Sequence, residues 1–346
     1  MITFFSDPHL GLERYTHTTP ESRNRLKLAL YEQALSCTQQ ARPVICLGDL
    51  FDTATNDEAT IQQGHDIACR SVVLGGNHDS TNRDNKPSSL ELLHSIVGPT
   101  EAGGRIALRY QVIRTGPLVV HLVPHCMTQS VFVGLLDDLE VHPRAGEQHI
   151  LCLHCNYESP FASNEATLNL TREQAARLLE RFDRILIGHE HNARSDFGGR
   201  LQLLGSCHPT SFHDCQTDKY VWRLTKTGDL IPEVIWNSTV GYMKVAAEHV
   251  LSHNLPDLAG CQFMDVQGEL PATDLPALAR RVSDIWKTTP SLFQLRNGAV
   301  AKEVSPQAES TAWSRMTTLP ERITLDLDGD ESMLALWHHY LQQVQA

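Results

Sequence analysis

Long apolar runs are missing from this 346-residue chain. No window approaches the roughly eighteen consecutive apolar residues of a membrane-spanning helix. The opening MITFFSDPHL has neither a basic segment nor an apolar core of the secretory kind, so no signal peptide and a cytoplasmic location are expected. A disulfide framework is missing too: the nine cysteines are odd in number and scattered, which fits a reducing compartment. Cys152 and Cys155 form one C-x-x-C, but no second pair completes a zinc site. In the strand-like ILCLHC their sulfurs fall on opposite faces, as buried thiols rather than a redox pair. Neither GxxxxGK[ST] nor GxGxxG occurs, so both common phosphate-cradling glycine loops are absent. Positive charge is short: 29 Lys and Arg against 41 Asp and Glu leave a net charge of −12. That excludes holding nucleic acid by bulk charge alone. It leaves open an enzyme whose site carries bound cations, because metals supply a local positive field.

What is present reads as an ordinary globular chain of two or three domains. Short apolar runs at ITFF, PVICL, SVVL, PLVVHLV, HILCL and RILI predict strands buried on both faces. Amphipathic stretches at Arg23–Gln40 and Thr171–Arg181 predict helices, the second opened by a capping box of Thr171 with Gln174. YVWRL and LIPEVIW around TKTGD predict a hairpin. After it, CQFMDVQGEL, DLPALARRVSDIWK and SLFQLRN read as strand, helix, strand in a separate small α+β unit. Residues 302–320 have linker composition. The segment Glu331–Ala346 predicts an amphipathic helix with Met333, Trp337, Tyr340 and Val344 on one stripe. The boundaries expected from these shifts are 1–238, 239–315 and 316–346.

Five short segments place metal-ligating residues just past the ends of predicted strands. They are Asp7-Pro8-His9, Gly48-Asp49, Gly76-Asn77-His78-Asp79, His154, and Gly188-His189-Glu190-His191. Ligands of α/β sheets gather at the carboxyl ends of strands, so five such ends can face one crevice. Extended backbone would aim Asp7 and His9 to one side, and His189 and His191 likewise, with Glu190 turned away. Each glycine directly precedes a ligand or ligand segment, where a close backbone approach tolerates no Cβ. Asp, Asn and His without thiolate suit manganese, iron or zinc better than calcium, and the imidazoles argue against magnesium. Seven ligands exceed the needs of one open site, whereas two ions sharing a bridging carboxylate use them all.

This ordered set, D-x-H, GD-x-x-D, GNHD, H and GH-x-H, resembles the calcineurin-like metallophosphoesterase superfamily. Within it, SDPHLG, GDLFD, GGNHDS, GHEH and the GS-x-x-P turn at Gly205–Pro209 are similar to the bacterial and phage SbcD-type DNA double-strand-break nucleases. The resemblance covers residues 1–235. It implies an α/β fold, a four-layer sandwich of two mixed β-sheets flanked by helices, followed by a small α+β capping domain and a C-terminal helix. It implies two divalent ions, most simply Mn²⁺, one held by Asp7, His9, Asp49 and His191 and the other by Asn77, His154, His189 and the bridging Asp49. His78 is then the general acid and Asp52 the residue that orients it, while Asp79 is free to brace the GNHD turn. The implied activity is phosphodiester hydrolysis in DNA repair or recombination. The implied partners are DNA, an SbcC-type coiled-coil ATPase docked by C-terminal helices, and a second copy of the chain. Arg83, Lys86 and His208 are candidate phosphate contacts, against a surface or structural role for each. A phosphodiesterase of small diesters such as cyclic nucleotides and a non-catalytic binding module are the alternatives. A protein phosphatase ranks low because LFDTATND follows Asp49 where a GDxVDRG continuation would be needed.

Overall fold

The computed structural model describes residues 1–13, 16–40, 43–80, 87–98, 104–142, 144–160 and 168–302. All six apolar runs are strands, and they divide between two sheets. The first sheet runs, in order, Leu230–Trp236, Lys219–Leu224, Ile2–Phe5, Val44–Cys46, Val72–Leu74, Ile106–Ala107. The second runs Arg194–Asp196, Leu201–Leu203, Arg184–Gly188, Gln148–His154, Leu118–Val123, Gln111–Thr115. Both are mixed with parallel centres; the second has an antiparallel strand at each edge, the first antiparallel strands at one edge and the parallel Ile106–Ala107 at the other.

Alternation along each strand builds the layers. Ile2, Phe4, Ile45 and Leu74 of the first sheet meet Leu118, Val120, Leu122, Ile150, Cys152 and Leu186 of the second in one buried cluster between them. The intervening residues face outward and meet helices. Phe5, Val44, Cys46 and Val73 pack on Ala34, Ile67 and Leu90, which lie in the helices Pro20–Thr38, Glu58–Ala68 and Ser89–Ile96. Leu151, Leu153, Ile185 and Ile187 pack on Phe132, Leu136, Ala175 and Leu178, which lie in the helices Gln129–Asp137 and Arg172–Leu178. Strands apolar on both faces therefore need two covers each, and the result is a four-layer α/β/β/α sandwich. Cys152 and Cys155 belong to clusters on opposite sides of the second sheet, and both are free thiols.

Local signals set the helix ends. Pro20–Thr38 starts three residues before the expected Arg23, because Thr19 caps Ser22 N–H and Pro20 supplies the first turn. The predicted box at Thr171 and Gln174 is present in both directions. The hairpin Lys219–Leu224 with Leu230–Trp236 forms an edge of the first sheet.

The chain then enters a three-stranded parallel sheet, Tyr242–Ala246, Phe263–Gln267, Gln294–Asn297, covered by the helices Ala247–Leu251 and Leu275–Thr288. Its first strand is absent from the sequence reading, for Tyr242–Ala246 is an edge strand with little burial and hence no apolar run. Phe263 and Phe293 join Phe212, Trp236, Leu12, Leu26 and Leu30 in an aromatic-rich seam to the sandwich. The expected linker beyond residue 302 and the helix Glu331–Ala346 lie outside the described residues. No described helix is long and apolar enough to cross a membrane.

Candidate metal centre

Carboxyl ends of three strands of the first sheet and two of the second open onto one edge of the sandwich, and all seven expected ligands meet there. Asp7, His9 and His191 bring one ligand atom each within 4.8 Å of one another, and Asp49, His154 and His189 form a second such group. Asn77 belongs to the second: its Oδ1 lies 3.0 Å from His154 Nε2 and 2.9 Å from His189 Nδ1. Asp49 stands between them, with Oδ1 3.3 Å from His154 Nε2 and Oδ2 3.9 Å from His9 Nε2. His189 and His191, neighbours in GHEH, are thus divided between the two groups. Glu190 turns away to accept from Tyr157 N and pair with Arg194.

The backbone differs from the extended form expected of D-x-H. Asp7, His9 and Asp49 have φ of 53°, 47° and 50°, and His189 has 91°. Non-glycine residues at positive φ carry strain of order 1–3 kcal/mol each and persist where tertiary bonds over-determine them. Those bonds are present. Asp7 N donates to Gly48 O, His9 N to Asp49 O, and His189 N to the Asp7 carboxylate. A Cβ on Gly48 would overlap the His154 ring, one on Gly76 the Asp49 carboxylate, and one on Gly188 Leu47 O and Ser6 Oγ. The three glycines are there for close approach. Asp79 braces the site, its buried carboxylate accepting from Leu50, Phe51 and Gly76 N–H.

The donor set fits cations. His154 Nδ1 lies 2.7 Å from Leu47 O, a pure acceptor, so Nδ1 carries a proton and Nε2, turned towards Asn77 Oδ1 and Asp49 Oδ1, is the ring atom that can shed its proton for a cation. His9 and His191 direct Nε2 atoms at each other 3.0 Å apart, beside Asp7. Imidazole nitrogens and carboxylate and amide oxygens converging in a buried site are donor atoms that divalent ions take, and the mix of imidazole and carboxylate suits first-row transition metals.

Two expectations are corrected by the geometry. Asp52 does not hold His78 through its carboxylate: His78 Nδ1 lies 2.6 Å from the Asp52 backbone carbonyl. The Asp52 carboxylate instead sits 3.3 Å from His9 Nδ1, without hydrogen-bond alignment. His208 is not at the cluster. It is buried, with Nδ1 2.7 Å from Pro209 O and its ring against Trp236 and Phe293 in the seam, so a phosphate has no access to it. Arg83 and Lys86 lie outside the described residues. His78 is exposed at the mouth, its ring 4.9 Å from that of His9.

Two residues near the centre were given no role by the sequence reading. His125 follows the strand Leu118–Val123 as His154 ends its own strand; its ring lies 6.4 Å from that of His154, and its buried Nδ1 has no partner. The strand-then-histidine form of LVPH was the available signal. Asp214, 3.1 Å from His191 Nδ1, lies in the loop after Leu201–Leu203, which the family resemblance sets beside the site without giving this acid a part.

Electrostatics follow burial and pairing. Burial alone would raise Asp49, but His154, then His9 and His78, hold it well below the usual carboxylate range. Burial lowers His154, yet Asp49 and Asp7 carry it up to about 10. Burial, with repulsion from His154, takes His189 down to about 4. Asp79 is raised to about 6 by burial and by Asp49.

Away from the cluster, burial also sets a pH dependence. It holds His208 at about 4 against an ordinary 6.5, and His121 likewise, helped by His149. Between those values the unfolded chain binds more protons than the folded one, so stability falls as pH drops from 6.5 towards 4. Asp79 acts in the opposite sense, its contribution being lost as pH rises from 3.8 through 6. His154, held up to about 10, acts the other way above 6.5, so the expected result for metal-free protein is a melting temperature that peaks near pH 6.5 to 7 and declines on either side. His208→Gln should shallow that decline by up to about 1.4 kcal/mol per pH unit. Scanning calorimetry from pH 8 to 5 checks this, and equal slopes for variant and wild type would remove His208 from the account.

No family model matches the chain, and no curated protein matches it. Among solved structures it is similar to the phosphopantetheinyl hydrolase of Mycobacterium tuberculosis at 14% identity, over 60% of this chain and 89% of that one, with a TM-score of 0.38. It is also similar to TT1561 of Thermus thermophilus at 11% identity, over 67% of this chain and 97% of that one, with a TM-score of 0.37. Overlaps of this quality say nothing about activity.

Proposed function

We propose that the chain is a two-metal phosphodiesterase of the calcineurin-like type, acting on DNA as the nuclease subunit of an SbcCD-like repair or recombination complex. The observation that carries the hydrolase reading is the pair of His/Asp groups either side of Asp49, with His78 at their rim. Asp7, His9 and His191 would hold one cation and Asn77, His154 and His189 the other, with Asp49 shared between them. Divalent cations there supply Lewis acidity towards a phosphoryl oxygen and towards water.

The chain's own groups do the rest. His78 donates Nδ1–H to the Asp52 carbonyl, which fixes the ring and leaves Nε2 to carry the transferable proton. From the rim that proton reaches the oxygen leaving phosphorus, as general acid. The Asp79 brace and the three glycines keep the loops at van der Waals distance, so the ligand atoms are held before substrate arrives.

DNA as substrate is supported by the SbcD-like motif spacing. The net charge of −12 is compatible with it, because cations in the site supply the positive field that the surface lacks. Mn²⁺ as native metal, a homodimer and docking of a coiled-coil ATPase by the 331–346 segment belong to the same proposal. The test is cleavage of end-labelled duplex and single-stranded DNA with manganese, with and without an SbcC-type ATPase, beside a cyclic nucleotide at equal metal. Manganese-dependent DNA cleavage that the ATPase stimulates is expected. Turnover of the cyclic nucleotide alone would move the assignment to small diesters, and no turnover with metal bound would leave a binding module.

A further inference from the structure

His191 is reached from behind by a buried carboxylate. Asp214, in the loop after Leu201–Leu203, is 3% exposed. Its Oδ1 accepts from Ser211 N at 2.8 Å, Thr210 N at 3.2 Å and Ser211 Oγ at 3.1 Å. Its Oδ2 accepts from Thr210 N at 3.0 Å and Thr210 Oγ1 at 3.2 Å, and lies 3.1 Å from His191 Nδ1. Lys219, 1% exposed, stands 3.9 Å from the same oxygen and donates to His191 O at 2.9 Å.

We infer that Asp214 is a positioning residue that fixes the tautomer of His191, so that Nε2 offers its lone pair to the first cation position. The inference rests on the two-cation reading above for the identity of what His191 meets. A carboxylate only accepts, so His191 Nδ1 carries the proton. The Thr210 hydroxyl, 3.2 Å from Nδ1 and donating to Asp214, likewise has only lone pairs to offer the ring. Nε2 is then bare and points at His9 Nε2. Bracing the turn accounts for the bonds that Thr210 and Ser211 give to the two oxygens. It explains neither the second oxygen at the imidazole nor a lysine buried beside it, since a desolvated ion pair is costly to build for a turn alone. Carboxylate–histidine pairs behind metal ligands set ring orientation and basicity. Lys219 completes the device by compensating the carboxylate and tying down the backbone of the ligand it serves.

Asp214→Asn separates bracing from positioning. The carboxamide oxygen stays on the Thr210 and Ser211 N–H groups, which turns its NH₂ towards His191 Nδ1. That nitrogen must then accept, and the ring proton moves to Nε2. The readout is ¹⁵N NMR of the histidine rings in metal-free protein, where wild-type His191 is expected as the Nδ1–H tautomer and the variant as Nε2–H. Calorimetric titration with manganese should show affinity at one of two sites lower by about 10–100-fold. Ser211→Ala, which removes one bond to Oδ1 without touching His191, should change neither readout. Should the Asp214→Asn substitution unfold the chain by stranding Lys219, the Asp214→Asn/Lys219→Gln pair removes the stranded charge and gives the same ring readout. An unchanged tautomer in Asp214→Asn, or equal loss of affinity in Ser211→Ala, overturns the inference. Absence of manganese binding in wild type sinks the two-cation reading, whereas the ring signals still decide the hold of Asp214 on His191.

Discussion

Asp49→Asn is expected to leave a folded protein that no longer retains two metal ions and no longer hydrolyses a phosphodiester. Asp49 is the only described residue whose two carboxylate oxygens face both ligand groups, at 3.3 Å to His154 Nε2 and 3.9 Å to His9 Nε2. An amide has one oxygen and no charge, so one position loses its shared ligand and both lose the anion between them. Elemental analysis should fall from two equivalents of manganese to one or fewer. Turnover should drop by roughly three orders of magnitude or more, because the several kcal/mol of charge stabilisation contributed by paired ions is withdrawn. The metal-free fold should be weakened but kept. Asp49 is buried near Asp7 and Asp79, and its charge is part of what raises Asp79. Relief of that repulsion is outweighed by loss of the anion that holds His154 charged, so the melting temperature of the metal-free variant should fall below that of metal-free wild type while the chain stays folded. The stabilisation that manganese gives wild type, about 2.7 kcal/mol at a hundredfold excess over the dissociation constant, should vanish. Two equivalents still bound in the variant would refute Asp49 as the bridge. A metal-free variant that does not fold at all would mean that Asp49 serves the fold first.

How much of this was legible in the sequence depends on whether the signal was local. ITFF, VICL, VVL, ILCL and RILI are apolar on both faces and are followed by Asp, Asn or His, so strands and ligand positions could be read from short windows, while the four-layer arrangement came with the family resemblance. Gly48, Gly76 and Gly188 could be placed for the same reason, since a missing Cβ beside a ligand announces a close approach. The left-handed backbone at Asp7, His9, Asp49 and His189 could not. It is imposed by hydrogen bonds between loops some forty to two hundred residues apart in the chain, such as Asp7 N to Gly48 O and His189 N to Asp7. Asp52 shows the same limit: the motif fixes that it lies near His78, but only the path of the loop decides that its carbonyl, and not its carboxylate, makes the contact. His208 follows the sheet in sequence as a substrate-contacting residue would. The apolar seam of Trp236 and Phe293, contributed by later segments, takes it into the interior. Tyr242–Ala246 gave no apolar run because an edge strand with exposed faces has no reason to carry one.

His78→Ala separates the proton from the metals. His78 is exposed, and its Nδ1 is engaged by a backbone carbonyl, which accepts from it and cannot remove its proton. It belongs to neither of the two groups that flank Asp49; its ring approaches that of His9 edge-on at 4.9 Å. Loss of the imidazole should therefore leave two equivalents of manganese bound and the melting temperature within a degree or two of wild type. Catalysis is different. A sugar alkoxide is a poor leaving group and needs a proton as the P–O bond breaks, so DNA cleavage should fall by about 10²–10⁴-fold. A p-nitrophenyl phosphodiester releases a stable phenolate that needs little protonation, and its hydrolysis should fall by far less. The gap between the two substrates is the measurement. A large, equal loss on both would assign His78 to binding or orienting the phosphate, and no loss on DNA would remove it from the reaction. Asp52→Ala gives the complementary result: the backbone carbonyl that holds His78 survives the substitution, so the gap between substrates should stay near the wild-type value. What the variant loses is the carboxylate beside His9 Nδ1, and its deficit should appear in manganese affinity instead.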